Sequence, residues 1–403
     1  MRRKPSQIII NIGITLALGI LFFSIAVWVV NLNDYHNSDF FTFWLSGRLA
    51  LTGQNPYLAE IWIEGHHLYG ATWIPNSSLV YPLPLSIFFM PFGAIPLHEA
   101  FVLWVGLSQI LILLSILMLF HHYPRQQVKL YAFPLVAGVI LFRPTMITLV
   151  NGQLSGLLLF LLVLIIFFWE KERWWQGSVF IPLLALKPNL GVPIILFLIV
   201  YLIVKMQKTS LITVFTGGIF LILLGMILDP NWIVHYWFAG YAKMTQTFGY
   251  APSIWGLSRY LCAGKTSCIT GAGSGMAISL FGICTYFILK NGKIVAPKFI
   301  ICLSIVSMLL LTPHTWPYDQ LLLIIPIIIV TLGLAKQKVR FLPAAVIFLL
   351  LDILALIILK VNAFLQNEIW SVMLTIIVFL LLLWYQKYER EIVYSGDTSK
   401  VID

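Results

Sequence analysis

Apolar runs of about 18 residues or more return along the whole chain, separated by short polar breaks rich in Gly, Pro, Asn and charged residues. The runs are continuous rather than alternating, so they read as helices and not as strands of a membrane barrel. They predict an all-α polytopic membrane protein with about twelve transmembrane helices. These fall at roughly 8–30, 99–120, 130–149, 153–169, 175–187, 189–204, 209–228, 272–290, 297–312, 319–335, 341–360 and 368–385. The pair 175–187 and 189–204 is short, and "LALKPNLGVP" interrupts it, so it reads as a tight hairpin or a re-entrant element. The segment 79–97 carries Pro82, Pro84, Pro91 and Pro96, and is expected to be broken or re-entrant rather than a full crossing.

Composition agrees with this class. Of 403 residues, 60% are hydrophobic and 10% charged, against about 25% charged in soluble domains. No polar gap is long enough for a soluble domain, so residues 1–403 read as one integral membrane domain. The net charge of +10 would suggest a nucleic-acid partner in a soluble protein. Here the basic residues cluster in short breaks: Arg2–Lys4, Arg125/Lys129, Lys171/Arg173, Lys205/Lys208, Lys290–Lys298, Lys336–Arg340 and a tail from 386 to 403. That is the pattern of cytoplasmic loops. It puts both termini in the cytoplasm of a plasma (inner) membrane protein, leaves the bilayer as the partner of the basic face, and excludes nucleic acid.

The other breaks then lie outside, and they hold the unusual chemistry. The first outer loop spans 31–98. Within it Ser38 is suited to cap a helix over 39–52, with Asp39 in the first turn. Phe40, Phe43, Trp44 and Leu51 give that helix a greasy side, and Gly53 and Pro56 stop it. The expectation is an interfacial helix anchored by its aromatics, with Arg48 snorkelling to lipid phosphate. On this reading Asp39 is as readily a helix-capping residue as a functional one. "NGQ" at 151–153 joins two spans, and a turn needs Asn-Gly for its own sake. Lys187 lies inside an apolar hairpin, where a charge requires a partner; an anionic ligand would supply one. Arg259 in "SIWGLSRY" has a similar setting. "TPHTWPYD" (312–319) puts His314 and Asp319 around an aromatic turn, where His314 can bind phosphate, shuttle protons or merely sit at the interface. Asp352 is mid-span and reads as a helix–helix hydrogen bond. Cys262 and Cys268 flank "AGKTS" and can close a small disulfide loop in an oxidising compartment; Cys284 and Cys302 read as core. No zinc spacing, Walker loop or dinucleotide fingerprint is present, so no metal or cofactor is expected.

The order "DFxxFW…GQNPY" (39–57), "YPLP…PFGAIP" (81–96), "NGQ" (151–153), "LKP" (186–188) and "PHTWPYD" (313–319) resembles glycosyltransferase family 87. This is the polyprenyl-phosphate-mannose-dependent α-mannosyltransferase group of the GT-C superfamily. The resemblance implies a GT-C-like fold with interfacial helices in a long first outer loop, and no bound metal. It implies a polyprenyl-phosphate-sugar donor, a glycolipid or glycan acceptor, and an active site on the periplasmic or extracellular face. The family's catalytic carboxylate falls on Asp39, with Asp34 in reserve. Donor phosphate binding falls on His314, Lys187 and Arg259. Substrate binding falls on Trp44, Arg48, Asn55, Tyr57, Tyr81, Asn151, Gln153, Trp316 and Asp319. Many relatives place the late histidine after the tryptophan, whereas His314 precedes Trp316. A transporter or flippase of a lipid-linked or anionic substrate is the second reading, and a noncatalytic assembly partner the third. A transporter would favour internal repeats and paired discontinuous helices; no repeat is evident, although 79–97 and 175–204 are broken.

Overall fold

The computed structural model describes residues 19–32, 34–75, 78–247, 250–336, 341–365 and 367–395. The basic N-terminus, the first half of the earliest expected span, Arg340 and Lys400 lie outside these residues. The described residues form helices and turns, with no strand among them. In the N-terminal half these are α1 (Gly19–Asn31), α2 (Asp39–Leu51), α3 (Ala59–Leu68), α4 (Leu83–Gly93), α5 (Leu97–Phe120), α6 (Arg125–Leu141), α7 (Arg143–Asn151), α8 (Ser155–Trp169) and α9 (Trp174–Ser178). There follow α10 (Pro188–Val204), α11 (Lys208–Met226), α12 (Trp232–Thr247), α13 (Ile254–Leu261), α14 (Thr266–Asn291), α15 (Pro297–Leu311), α16 (Ile324–Lys336), α17 (Phe341–Leu365) and α18 (Val372–Ser395). Short 3-10 turns at Pro182–Leu186, Pro317–Leu323 and Ile369–Ser371 precede α10, α16 and α18.

Five of the described helices are long and apolar enough to cross a membrane: α5, α11, α14, Pro317–Leu334 and Ile369–Lys387. The pair α6/α7, bent by 53° at Phe142, brings the number to six. Other expected crossings are shorter: α8, α10 and α15 have 15, 17 and 15 residues, or about 22–26 Å, against a hydrocarbon core of about 30 Å. The proline-rich segment is α4, 11 residues long and far too short to cross. Residues 174–204 fold as α9, a 3-10 turn and α10, with the break at Lys187-Pro188.

The ends of the helices sort into two groups. At one end Lys205 Nζ donates to the Lys293 carbonyl (2.7 Å), the Lys298 amide to Glu170 Oε1 (3.3 Å) and the Tyr201 hydroxyl to the Val295 carbonyl (2.9 Å). Lys171 stands over the Phe167 ring there. At the other end the breaks after α7, before α10 and after α15 meet, as described below. Alternate breaks therefore gather at opposite ends, as short connections between antiparallel neighbours require.

The helix expected to lie at the interface is buried instead. Ser38 does cap α2, its Oγ accepting from the Phe41 amide at 3.3 Å, and Asp39 opens the first turn. But Phe40, Phe41, Phe43, Trp44, Leu45, Leu49 and Ala50 are all buried, because α4 lies along one side and α5 approaches another. A helix that is apolar all round belongs inside the protein. The contact with α4 is backbone to backbone: a β-carbon at Gly47 would lie 2.4 Å from the Phe89 carbonyl oxygen, and one at Gly93 would lie 2.4 Å from the Arg48 nitrogen. Gly93→Ala is therefore expected to push α4 off α2 and cost about 1–3 kcal/mol, seen as a lowered unfolding midpoint of the purified protein.

Candidate active site

Five chain segments converge at the second end of the bundle. The first turn of α2 brings Asp39, and the stretch before α4 brings Tyr81. The turn after α7 brings Gln153 and Ser155, and the break before α10 brings Lys187. The loop after α15 brings His314, Trp316, Tyr318 and Asp319. Local chemistry explains each break. Gly152 caps α7 in the left-handed region (φ 62°), and a β-carbon there would meet the Phe101 ring at 2.5 Å, so the Asn-Gly turn is required for structure. Pro188 and Pro317 occupy the first positions of α10 and of the Pro317–Leu323 turn, where a missing N–H costs nothing.

Lys187 and Asp319 form the centre. Nζ lies 2.5 Å from Asp319 Oδ1 and 2.9 Å from Gln153 Oε1. Asp319 Oδ1 also accepts from Ser155 Oγ (3.2 Å), and its Oδ2 accepts from the Trp316 amide (3.0 Å). Lys187 is 2% exposed, and Asp319 and Gln153 are 0% exposed. The partner that the sequence required for Lys187 is thus a protein carboxylate, not only an external anion. Both oxygens of Asp319 are engaged, which makes it the counter-ion of the site.

Asp39 acts on the same place. The Tyr81 phenol is pushed well above its ordinary range, first by burial and then by the charges of Asp39 and Asp319, while the Gln153 amide pulls the other way. Tyr318 stands in the field of the same two carboxylates and under the ammonium of Lys187, 4.7 Å from its ring centre. Tyr81, Gln153, Lys187, Tyr318 and Asp319 therefore make one cluster, with Asp39 near enough for its charge to bear on both tyrosines; Asp39 itself does not line the adjoining cavity.

A cavity of about 720 Å³ opens against it. Tyr81, Lys187, Asn189, His314, Trp316 and Tyr318 form its polar and aromatic side. The rest of the wall is largely apolar, with Val192 and Leu196 from α10, Trp237 from α12 and Phe281 from α14. Asn189 braces the His314 loop: its Nδ2 donates to the His314 carbonyl (2.6 Å) and its own carbonyl accepts from Thr312 Oγ1 (2.7 Å). The His314 ring stands edge-on to Trp316, 6.0 Å away.

Other residues named from the sequence are placed elsewhere. Trp44 Nε1 donates to the Ile95 carbonyl (3.0 Å), and Arg48 donates to the Tyr69 hydroxyl (3.3 Å) and the Gly93 carbonyl (3.0 Å). Both tie α2 to its surroundings, and neither lines the cavity. Asn151 ends α7 without lining it either. Arg259 does not reach it: the guanidinium lies over the Tyr250 ring at 4.1 Å and donates to its hydroxyl (2.8 Å). Asn55 and Tyr57 do not line the cavity. Tyr57 donates to the Tyr81 carbonyl (2.6 Å), while Asn55 holds Asp229 Oδ2 (3.0 Å). Burial alone would raise Asp229, but hydrogen bonds from His235, Asn55 and the Asn231 amide hold it below its ordinary value. Asp352 makes no hydrogen bond among the described residues, and its buried Oδ1 is unmet; the expected helix–helix bond is not formed. Ser155, Asn189, Tyr318 and the Asp229–His235 pair were not anticipated. The signals were faint: Asn189 follows "KP", and Tyr318 precedes the aspartate already singled out.

The disulfide is formed between Cys262 and Cys268. It ties the residue after α13 to the first turn of α14. Trp255 of α13 donates to the Leu311 carbonyl at 2.7 Å, one residue before the cavity-lining Thr312, so the disulfide and the cavity share one end of the molecule.

The model of glycosyltransferase family 87 matches residues 79–313, more than half of the chain. The matched span contains Tyr81, Gln153 and Lys187, and stops just short of His314. No curated protein and no solved structure matches the chain.

Proposed function

Because the chain belongs to glycosyltransferase family 87 and is a membrane glycosyltransferase, we propose that it transfers a sugar, mannose, from a polyprenyl-phosphate donor to an acceptor hydroxyl on the outer face of the membrane. The observation that carries this reading is the buried Lys187–Asp319 pair set against the wall of the cavity, with Asp39 near enough for its charge to bear on Tyr81. Asp319 lies behind the cavity wall and is fully engaged by Lys187, Ser155 and the Trp316 amide. Asp39 is left as the base.

The acceptor oxygen attacks the anomeric carbon as the bond from that carbon to the phosphate oxygen breaks. The bond's electron pair leaves with polyprenyl phosphate, and the acceptor proton passes to Asp39. A single displacement turns a β-linked donor into an α-linked product. His314 and Lys187, both at the cavity wall, are suited to face the leaving phosphate; Arg259 would need a different conformation to join them. The apolar walls from α10, α12 and α14 suit the isoprenoid part of the donor, and Trp316 and Tyr81 suit the sugar.

Two features support the outer face. A disulfide persists in oxidising compartments, and Cys262–Cys268 shares the cavity's end of the bundle. The lysines at 171, 205, 293 and 298 sit at the opposite end, as cytoplasmic turns do. The test is sugar transfer by the purified protein in lipid, from radiolabelled polyprenyl-phospho-mannose to extracted membrane glycolipids. Label moving into the glycolipid fraction is the expected result; label remaining on the donor with every acceptor extract would overturn the donor assignment.

A further inference from the structure

The Pro317–Leu323 turn carries Tyr318 and Asp319, yet a 3-10 turn of seven residues has poor internal hydrogen bonds and holds its shape weakly by itself. It is gripped from two sides. On one side Thr148 Oγ1 of α7 donates to the Tyr318 carbonyl at 3.1 Å. On the other, Gln320 Nε2 donates to the Ser371 carbonyl (2.5 Å) and to Thr375 Oγ1 (3.2 Å) at the start of α18. Asp319 thus sits between two clamped neighbours.

The two clamps are themselves joined. Arg143, the first residue of α7 and next to its 53° bend from α6, pairs with Glu368 in the turn between α17 and α18. Nη2 lies 2.9 Å from Oε1, and Nη1 lies 3.4 Å from Oε2. Glu368 Oε2 also accepts from Asn362 Nδ2 (2.7 Å) and Ser371 Oγ (3.2 Å). An unbroken chain of bonds therefore runs from Arg143 through Glu368 and Ser371 to Gln320. It is held at a cost: with its amide nitrogen committed to Glu368 and Ser371, Asn362 leaves Oδ1 buried without a donor among the described residues. Buried unmet groups of this kind collect where geometry matters more than stability.

We propose that Arg143 and Glu368 are positioning residues for sugar transfer: their ion pair locks α7 to the α17–α18 turn and so fixes the segment that presents Asp319 to Lys187. The inference rests on the glycosyltransferase reading of the site, but its structural half can be measured without any donor. The last two spans, which the sequence alone marks only as apolar, thereby become part of the catalytic apparatus.

The experiment uses the full-length protein in lipid nanodiscs, with Glu368→Gln and the charge-exchanged pair Arg143→Glu/Glu368→Arg. Amide exchange over residues 317–323 is compared with exchange in α5. Glu368→Gln is expected to speed exchange in that segment by about tenfold with α5 unchanged. It is expected to lower kcat by about tenfold or more, to leave the donor KM within about twofold, and to be substantially rescued by the exchanged pair. Unchanged exchange at 317–323, or an equal rise across α5, would overturn the clamp whatever the activity. If Glu368→Gln does not fold, an exchanged pair that folds with native protection supports the ion pair, and one that also fails refutes it. Failure of the wild type to transfer sugar would strike the glycosyltransferase reading and leave the exchange result to decide the clamp.

Discussion

Asp39→Asn is expected to reduce sugar transfer by about 10²–10⁴-fold in a protein that folds normally. The substitution keeps the shape of the side chain, and Ser38 continues to cap α2 through the Phe41 amide. The lost charge at the helix start costs only about 0.3–1 kcal/mol. Neither of the two other candidate carboxylates is ready to take over. Asp319 is fully buried, with both oxygens bonded. Asp34, the alternative five residues earlier, has a side chain 58% exposed and lies outside α2, so Asp34→Asn is expected to leave the rate within about twofold. The measurement is initial transfer rate beside a check of folding by thermal unfolding. Equal rates for wild type and Asp39→Asn would remove Asp39 from the mechanism. A rate that falls together with the unfolding midpoint would assign it a capping role only.

Breaking the Lys187–Asp319 pair has the largest expected effect on stability. Either residue alone would leave its partner's charge buried and uncompensated. Lys187→Met or Asp319→Asn is therefore expected to cost about 3–5 kcal/mol, visible as a large drop in the unfolding midpoint. Replacing both, as Lys187→Met/Asp319→Leu, removes the stranded charge and is expected to recover most of the loss, because an apolar pair of similar volume is often no less stable than a buried ion pair. Activity separates the two roles of the lysine. Its Nζ meets Asp319 and the residue also lines the cavity, so the double variant is expected to regain stability while its donor KM stays raised. A double variant as unstable as the single ones would show that the Gln153 and Ser155 bonds, not the charge pair, hold this region.

Much of the site was legible because its parts are local. Ser38 before an apolar run, Gly53 after it, Asn-Gly at 151–152 and the prolines at 188 and 317 each fix a backbone conformation, and each stands where the helices break. Lys187 announced itself through the cost of a charge in an apolar stretch. Its partner did not, because Asp319 lies 132 residues away and no local pattern links them. The same limit misplaced Trp44 and Arg48. On a single helix they look like an interfacial anchor and a snorkelling cation. The carbonyls that satisfy them, at Ile95 and Gly93, belong to a segment that packs on α2 only in the tertiary structure. Phe40, Phe43, Trp44 and Leu51 suggest a one-sided helix, although Phe41, Leu45 and Leu49 complete the circle.

The long separation within the buried pair also imposes a schedule on synthesis. At about 5–20 residues per second, the 132 residues between the two partners take about 7–26 s to translate. Through that interval Lys187 has entered the bilayer with only Gln153 and Ser155, already made, to receive its protons. The nascent chain thus carries an unneutralised charge across six further helices. The segment that carries Asp319 ends that interval, and α16 to α18 follow it.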